Sequence, residues 1–142
     1  MRLASLALLL LPPFAFAQDV KATDKVDIRA EVVLAAKDGN EIDPPALKAM
    51  QQAFAEQKVS YGYLKRVLER PISVQQKPVT LKLPNNKEAT LMLEKLKGDV
   101  ATIRVKVPPA DAVYNLGKKG NLYVQGGKHE GKDVWLVLSP GK

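Results

Sequence analysis

Val79-Thr80-Leu81-Lys82-Leu83-Pro84-Asn85-Asn86-Lys87-Glu88-Ala89-Thr90-Leu91-Met92-Leu93 holds two alternating runs around a turn-forming centre. Val79, Leu81 and Leu83 alternate with Thr80 and Lys82, and Ala89, Leu91 and Leu93 repeat the period after Pro84 to Lys87. A period of two is that of a strand with one buried face, and two such runs joined by turn residues read as a β-hairpin. Lys97-Gly98-Asp99 supplies the next turn, after which Ala101, Ile103, Val105 and Val107 face one way and Thr102, Arg104 and Lys106 the other. Pro108-Pro109 ends that strand, because neither proline can donate to a ladder.

Downstream, Ala112 to Leu116, Asn121 to Gln125 and Asp133 to Ser139 read as three more short strands. Gly117-Lys118-Lys119-Gly120 and the stretch from Gly126-Gly127 to Lys132 read as the turns between them, giving an antiparallel meander. In the last strand Val134, Leu136 and Leu138 form one face and Trp135 and Val137 the other, so it should be covered on both sides, either central or paired against a partner.

Upstream, Val26, Ile28, Ala30, Val32 and Leu34 alternate with Asp27, Arg29, Glu31 and Val33, a strand ending near Ala36 before the turn residues Lys37-Asp38-Gly39-Asn40. A helix follows: Asp43 can cap it, Pro44 suits its first position, and Leu47, Met50 and Phe54 recur at helical spacing. Ile42 can staple onto Leu47, while Lys48, Gln52 and Glu56 should be wet. Ser60 to Arg70 mixes β-favouring tyrosines with helix-compatible Leu64, Val67 and Leu68, and reads as a strand or irregular extended segment. Pro71 keeps Arg70 extended, and Ile72 and Val74 suggest a short strand. The fold class is α+β, mainly antiparallel β: about six to eight short strands in a curled sheet or sandwich, with one helix packed on it.

Met1-Arg2, the apolar Leu3 to Leu11 and the small-residue exit Ala15-Phe16-Ala17 have the form of a secretory signal peptide. The expected organisation is a signal peptide at 1–17, a flexible leader at 18–25 and a single β-rich domain at 26–139, located in the periplasm or secreted. The apolar run is too short to span a bilayer comfortably, so no stable membrane span is expected after cleavage. The chain has no cysteine, which excludes disulfides, a thiol nucleophile and thiolate metal sites. Its 22 basic and 15 acidic residues favour anionic partners, although lysines at alternate strand positions and in turns also suit a solvated face.

No motif fixes a reaction. His129, the sole histidine, lies beside Glu130 in a glycine-rich turn and excludes a multi-histidine zinc site within one chain. An exposed turn residue is the simpler account, with a small hydrolase of an envelope polymer, using His129 with Glu130 or distant carboxylates, as the alternative. The glycine pairs lack P-loop spacing and open no helix. Asp38 to Asp43 offers oxygens for calcium without EF-hand order, and a capped helix entrance explains it better. Neither a metal nor a cofactor is expected. Tyr61, Tyr63, Lys65, Arg66 and Arg70 are the candidate binding residues, since aromatics stack on sugars or bases and cations meet anions. Alternation would put Tyr61, Tyr63 and Lys65 on one strand face; the competing account is an edge strand whose tyrosines pack on the helix and whose charges deter aggregation.

The opening strand Ile28 to Leu34, the Ile42-Asp43-Pro44 helix entry, Ser60-Tyr61-Gly62-Tyr63-Leu64, Val79 to Pro84, and Gly126-Gly127 before Val134-Trp135-Leu136-Val137-Leu138 together resemble a family of small exported proteins of Gram-negative, myxobacteria-like bacteria. That resemblance implies an envelope location and no catalytic signature. Leu122-Tyr123-Val124-Gln125-Gly126-Gly127 is also similar to a strand-and-glycine turn of outer-membrane secretins. The expected function is an exported, non-enzymatic module binding another cell-envelope component through a sheet edge or the tyrosine surface. Alternatives are a small periplasmic hydrolase or an anionic-polymer-binding protein; the partner is an envelope protein or anionic polymer rather than nucleic acid.

Overall fold

The computed structural model describes residue 21 and residues 24–141, so the expected signal peptide and residues 18–20, 22 and 23 of the leader lie outside the described residues. The strands are β1 Lys25–Ala36, β2 Ile42–Asp43, β3 Tyr63–Gln75, β4 Val79–Lys82, β5 Glu88–Lys97, β6 Val100–Val107, β7 Ala110–Leu116, β8 Leu122–His129 and β9 Lys132–Pro140. One helix, α1 at Lys48–Glu56, follows a 3-10 turn at Pro45–Leu47. They form two sheets, ordered β2-β3-β1-β9-β8 and β4-β5-β6-β7. Every pairing is antiparallel except the short parallel contact of β2 with β3.

The sheets stack on the faces that the alternating apolar residues predicted. Ile28, Val32 and Leu136 of the larger sheet share one core with Leu81, Leu91 and Ile103 of the smaller. A second core lies on the far side of the larger sheet, where Val33, Ala35, Leu64 and Val137 meet Leu47, Met50 and Phe54. β1 therefore buries both faces, Val32 toward the smaller sheet and Val33 toward the helix, each 0% exposed. β9 does the same from its position between β1 and β8, which explains its two apolar faces.

Several expectations are corrected. There are nine strands rather than six to eight, with the two-residue β2 among them. Asp43 caps nothing: it belongs to β2, Pro44 precedes the 3-10 turn, and neither helical start has a side-chain cap. Gly117 to Gly120 is not a hairpin turn, because β7 and β8 belong to different sheets and this loop carries the chain across. The meander stops there. Gly126-Gly127 lies inside β8 as a bulge between Gln125 and Lys128, and the β8–β9 turn is Glu130-Gly131, both at positive φ (52 and 81°).

The entry to β3 is held by backbone contact. Gly62 N–H donates to the carbonyls of Ala36 and Lys37 at 3.0 and 3.3 Å, and a Cβ at Gly62 would stand 2.2 Å from the Gly39 carbonyl oxygen. Backbone cannot yield there as a flexible side chain would. Gly62→Ala is expected to destabilise the fold by about 2 kcal/mol or more in chemical denaturation. Gly117→Ala, with nothing within 4 Å of the added carbon, should stay within about 0.5 kcal/mol of the parent.

Candidate functional site

The outer face of the larger sheet is only partly covered. Alternation along β1 puts Arg29 and Glu31 on the same face as Val33 and Ala35, but α1 lies over the latter pair. Beyond the helix start, that face opens into a cavity of about 460 Å³. The sheet contributes Arg29, Glu31, Arg66, Ser139 and Tyr123 to its lining, the helical segment Leu47 and Met50, and the sheet-crossing loop Lys118 and Lys119. Four strands, the helix and the sheet-crossing loop thus converge on one pocket.

A bulge sets its chemistry. β1 and β3 pair Val33 with Arg66, then Val32 with Leu68 and Glu31 with Glu69, leaving Val67 as the extra residue. Arg66 and Glu69 therefore share the outer face, Glu69 directly opposite Glu31 and Arg66 on the diagonal, opposite Val33. Arg66 Nε donates to Glu31 Oε2 at 2.7 Å and Arg66 Nη1 lies 3.4 Å from Glu69 Oε1. Arg29 Nη1 lies 3.1 Å from the other Glu69 oxygen, and Arg29 Nη2 is 4.0 Å from Glu31 Oε1. The side chain of Glu31 is 5% exposed and that of Arg66 23%.

The two arginines and two glutamates cancel in charge, so the surplus belongs to the loop lysines. Lys118 Nζ is 3.5 Å from Asp99 Oδ1 with both side chains mostly exposed, a pairing that water screens, and Lys119 has no ion pair among the described residues. The pocket is cationic above a buried carboxylate.

Sequence reasoning passed over Arg29 and Glu31, and weighed the two lysines only as turn residues. The signal was present: Val33 and Ala35 are apolar on an otherwise polar face, which marks that face as partly covered and its neighbouring charges as half-enclosed. Of the five candidate residues, only Arg66 lines the pocket. Tyr63 and Lys65 lie on the opposite face of β3, opposite Ala36 and Leu34, and the bulge returns Arg70 to that face opposite Ala30. Tyr61 precedes β3 and is 4% exposed.

Tyr61 instead locks helix to sheet. Its ring meets Phe54 edge-on at 5.1 Å, its hydroxyl donates to Asp133 Oδ2 at 2.6 Å and accepts from Trp135 Nε1 at 3.0 Å, and Gln51 Nε2 donates to its carbonyl at 2.7 Å. Burial, reinforced by the Asp133 carboxylate, pushes the Tyr61 hydroxyl up to about 12. Burial also works to raise Asp133, but the Tyr61 hydroxyl and the Lys128 ammonium outweigh it and hold its carboxyl below the ordinary range.

His129 is half-buried at the end of β8 rather than an exposed turn residue, with Nε2 3.8 Å from Glu130 Oε1. Neither residue lines the charged pocket. Among the described residues no three acidic or histidine side chains cluster as cation ligands, and no helix is long and apolar enough to cross a membrane. Comparison with known protein families, curated proteins and solved structures finds no match, so the chemistry of the pocket itself must carry the functional reading.

Tyr61→Phe strands Asp133 Oδ2 and Trp135 Nε1 and is expected to cost about 1–3 kcal/mol. Because the folded hydroxyl titrates above its ordinary value of 10.0, its contribution is complete below pH 10 and disappears as the pH climbs toward 12. Asp133, held low, contributes above the ordinary carboxylate range and loses that contribution as acid protonates it. In melting curves, Tm of the parent should fall more steeply from pH 10 to 12 than that of Tyr61→Phe. Parallel slopes would contradict this assignment.

Proposed function

We propose that the chain is a non-enzymatic module of the cell envelope, periplasmic or secreted, that binds an anionic envelope component in the pocket over Glu31. The observation that carries this reading is the positive charge of Lys119, and of Lys118 with its solvent-screened partner Asp99, in a concave site that Arg29 and Arg66 also line. Concave walls of low dielectric focus such a field and favour an anion entering from solvent. The apolar wall of Leu47 and Met50 gives the ligand a dry side as well as a charged one. The hydrolase alternative calls for a cleft around the His129 turn, and this pocket lies elsewhere.

A second reading, strand addition by a partner protein, has its own observation. β7 pairs only with β6 among the described residues, in unbroken register, and bears one charge, Asp111, and the 44% exposed Val113. The outer edge of β3 is instead blunted by Pro71, by the Val67 bulge and by Arg66, Glu69 and Arg70. If β7 is the working surface, Val113→Lys should abolish salt-resistant cross-linking to an envelope protein and leave pocket binding unchanged.

The pocket reading is tested with polygalacturonate as the probe, by calorimetry over a series of salt concentrations. Affinity should fall steeply with salt, and Lys118→Glu with Lys119→Glu should weaken binding by about tenfold or more. Two reversals at exposed strand lysines, Lys82→Glu and Lys106→Glu, change net charge equally and should have a much smaller effect. Equal losses would assign the binding to diffuse charge and sink the pocket reading, as would no binding at low salt.

A further inference from the structure

We infer that the ligand of this pocket presents a hydroxyl group beside its anionic group, as an acidic sugar unit does; this rests on the anionic-ligand reading above. Two buried polar atoms on the pocket floor have no hydrogen-bond partner among the described residues. Glu31 is 4% exposed, and while Oε2 accepts from Arg66, Oε1 has Arg29 Nη2 at 4.0 Å, beyond hydrogen-bond reach. Ser139, 9% exposed, makes no side-chain hydrogen bond among the described residues and sits opposite Arg29 on the adjoining strand. A buried carboxylate oxygen without a donor is costly, and a donor delivered by the ligand would remove that cost.

Charge decides which donor. An ammonium would meet Glu31 but would also enter a pocket where Arg29, Arg66, Lys118 and Lys119 outnumber Glu31, Glu69 and the exposed Asp99 that pairs with Lys118. A neutral hydroxyl satisfies Oε1 without that repulsion, and a second hydroxyl can exchange hydrogen bonds with Ser139 Oγ. The anionic group of the same molecule then lies toward the two lysines. Tyr123, whose ring packs on Phe54 at 5.2 Å, also lines the pocket and puts its aromatic edge within the site.

Matched small probes separate the parts of this inference on the unaltered protein. D-glucuronate carries a carboxylate and hydroxyls, glucose 1-phosphate a phosphate and hydroxyls, cyclohexanecarboxylate the anion alone, and 4-aminocyclohexanecarboxylate the anion with an ammonium. In amide-detected NMR titrations, at least one of the two sugar acids should shift Glu31, Arg66 and Ser139 and bind about tenfold tighter than cyclohexanecarboxylate. Which sugar acid does so identifies a carboxylate or a phosphate as the anion. In Glu31→Gln, which removes the charge at closely similar shape, that preference should shrink toward unity. Equal binding of cyclohexanecarboxylate would overturn the hydroxyl inference while leaving the anionic pocket standing. Tightest binding of the amino acid would overturn it in favour of an ammonium. No shift at these residues with any probe would overturn both readings.

Discussion

A helix of nine residues cannot cover a strand of twelve. At helical rise α1 is about 14 Å long, whereas β1 extended runs about 40 Å. The chain has only this one helix among its described residues to lay on the outer face of its larger sheet. The face is therefore built in two halves. Over Val33, Ala35, Leu64 and Val137 it is apolar and sealed by Leu47, Met50 and Phe54; beyond the helix start it turns to Arg29, Glu31, Arg66 and Ser139 and stays open as a pocket. Tyr61, bonded to Asp133 and Trp135, fixes where the boundary falls.

One residue of irregularity determines what the open half contains. A strand in strict alternation would put Arg66 and Glu69 on opposite faces, since they are three apart. The extra residue at Val67 brings both to the outer face, Glu69 directly opposite Glu31 and Arg66 on its diagonal. The same irregularity explains why residues 61–70 resist a sequence reading: Leu64, Val67 and Leu68 have helix-like spacing because a bulge interrupts the period of two. The hydrophobic pattern elsewhere is regular and legible. The two faces of β9, the hairpin of β4 with β5, and the strand β6 ended by Pro108-Pro109 follow from alternation and turn chemistry alone.

What alternation cannot show is which strands share a sheet. The loop at Gly117 to Gly120 has the composition of a hairpin turn, and only the burial of Leu116 and Val124 in the core shared by both sheets accounts for β7 and β8 parting company there. That crossing brings Lys118 and Lys119 over the floor of β1, more than eighty residues away in sequence. No local motif encodes such a meeting. Gly126-Gly127 misleads for the same reason, because glycine pairs serve bulges as readily as turns and the choice is made by the partner strand.

The buried Glu31 is hard to account for by stability alone. Burying an ion pair costs several kcal/mol of desolvation per ion before any attraction is counted, and an apolar pair of similar volume is often as stable or more so. The same face carries apolar residues two and four positions along, at Val33 and Ala35, where the helix covers it, and turns to a carboxylate at position 31, where the pocket opens. The carboxylate is held by Arg66 on one oxygen only, while Arg29 spends its closest contact on Glu69 instead. A purely structural ion pair would gain from using both oxygens. The oriented carboxylate, hydrogen-bonded on one oxygen beneath a cationic rim, suits the anionic-ligand reading proposed above, and it occurs on the part of the sheet that the short helix leaves open.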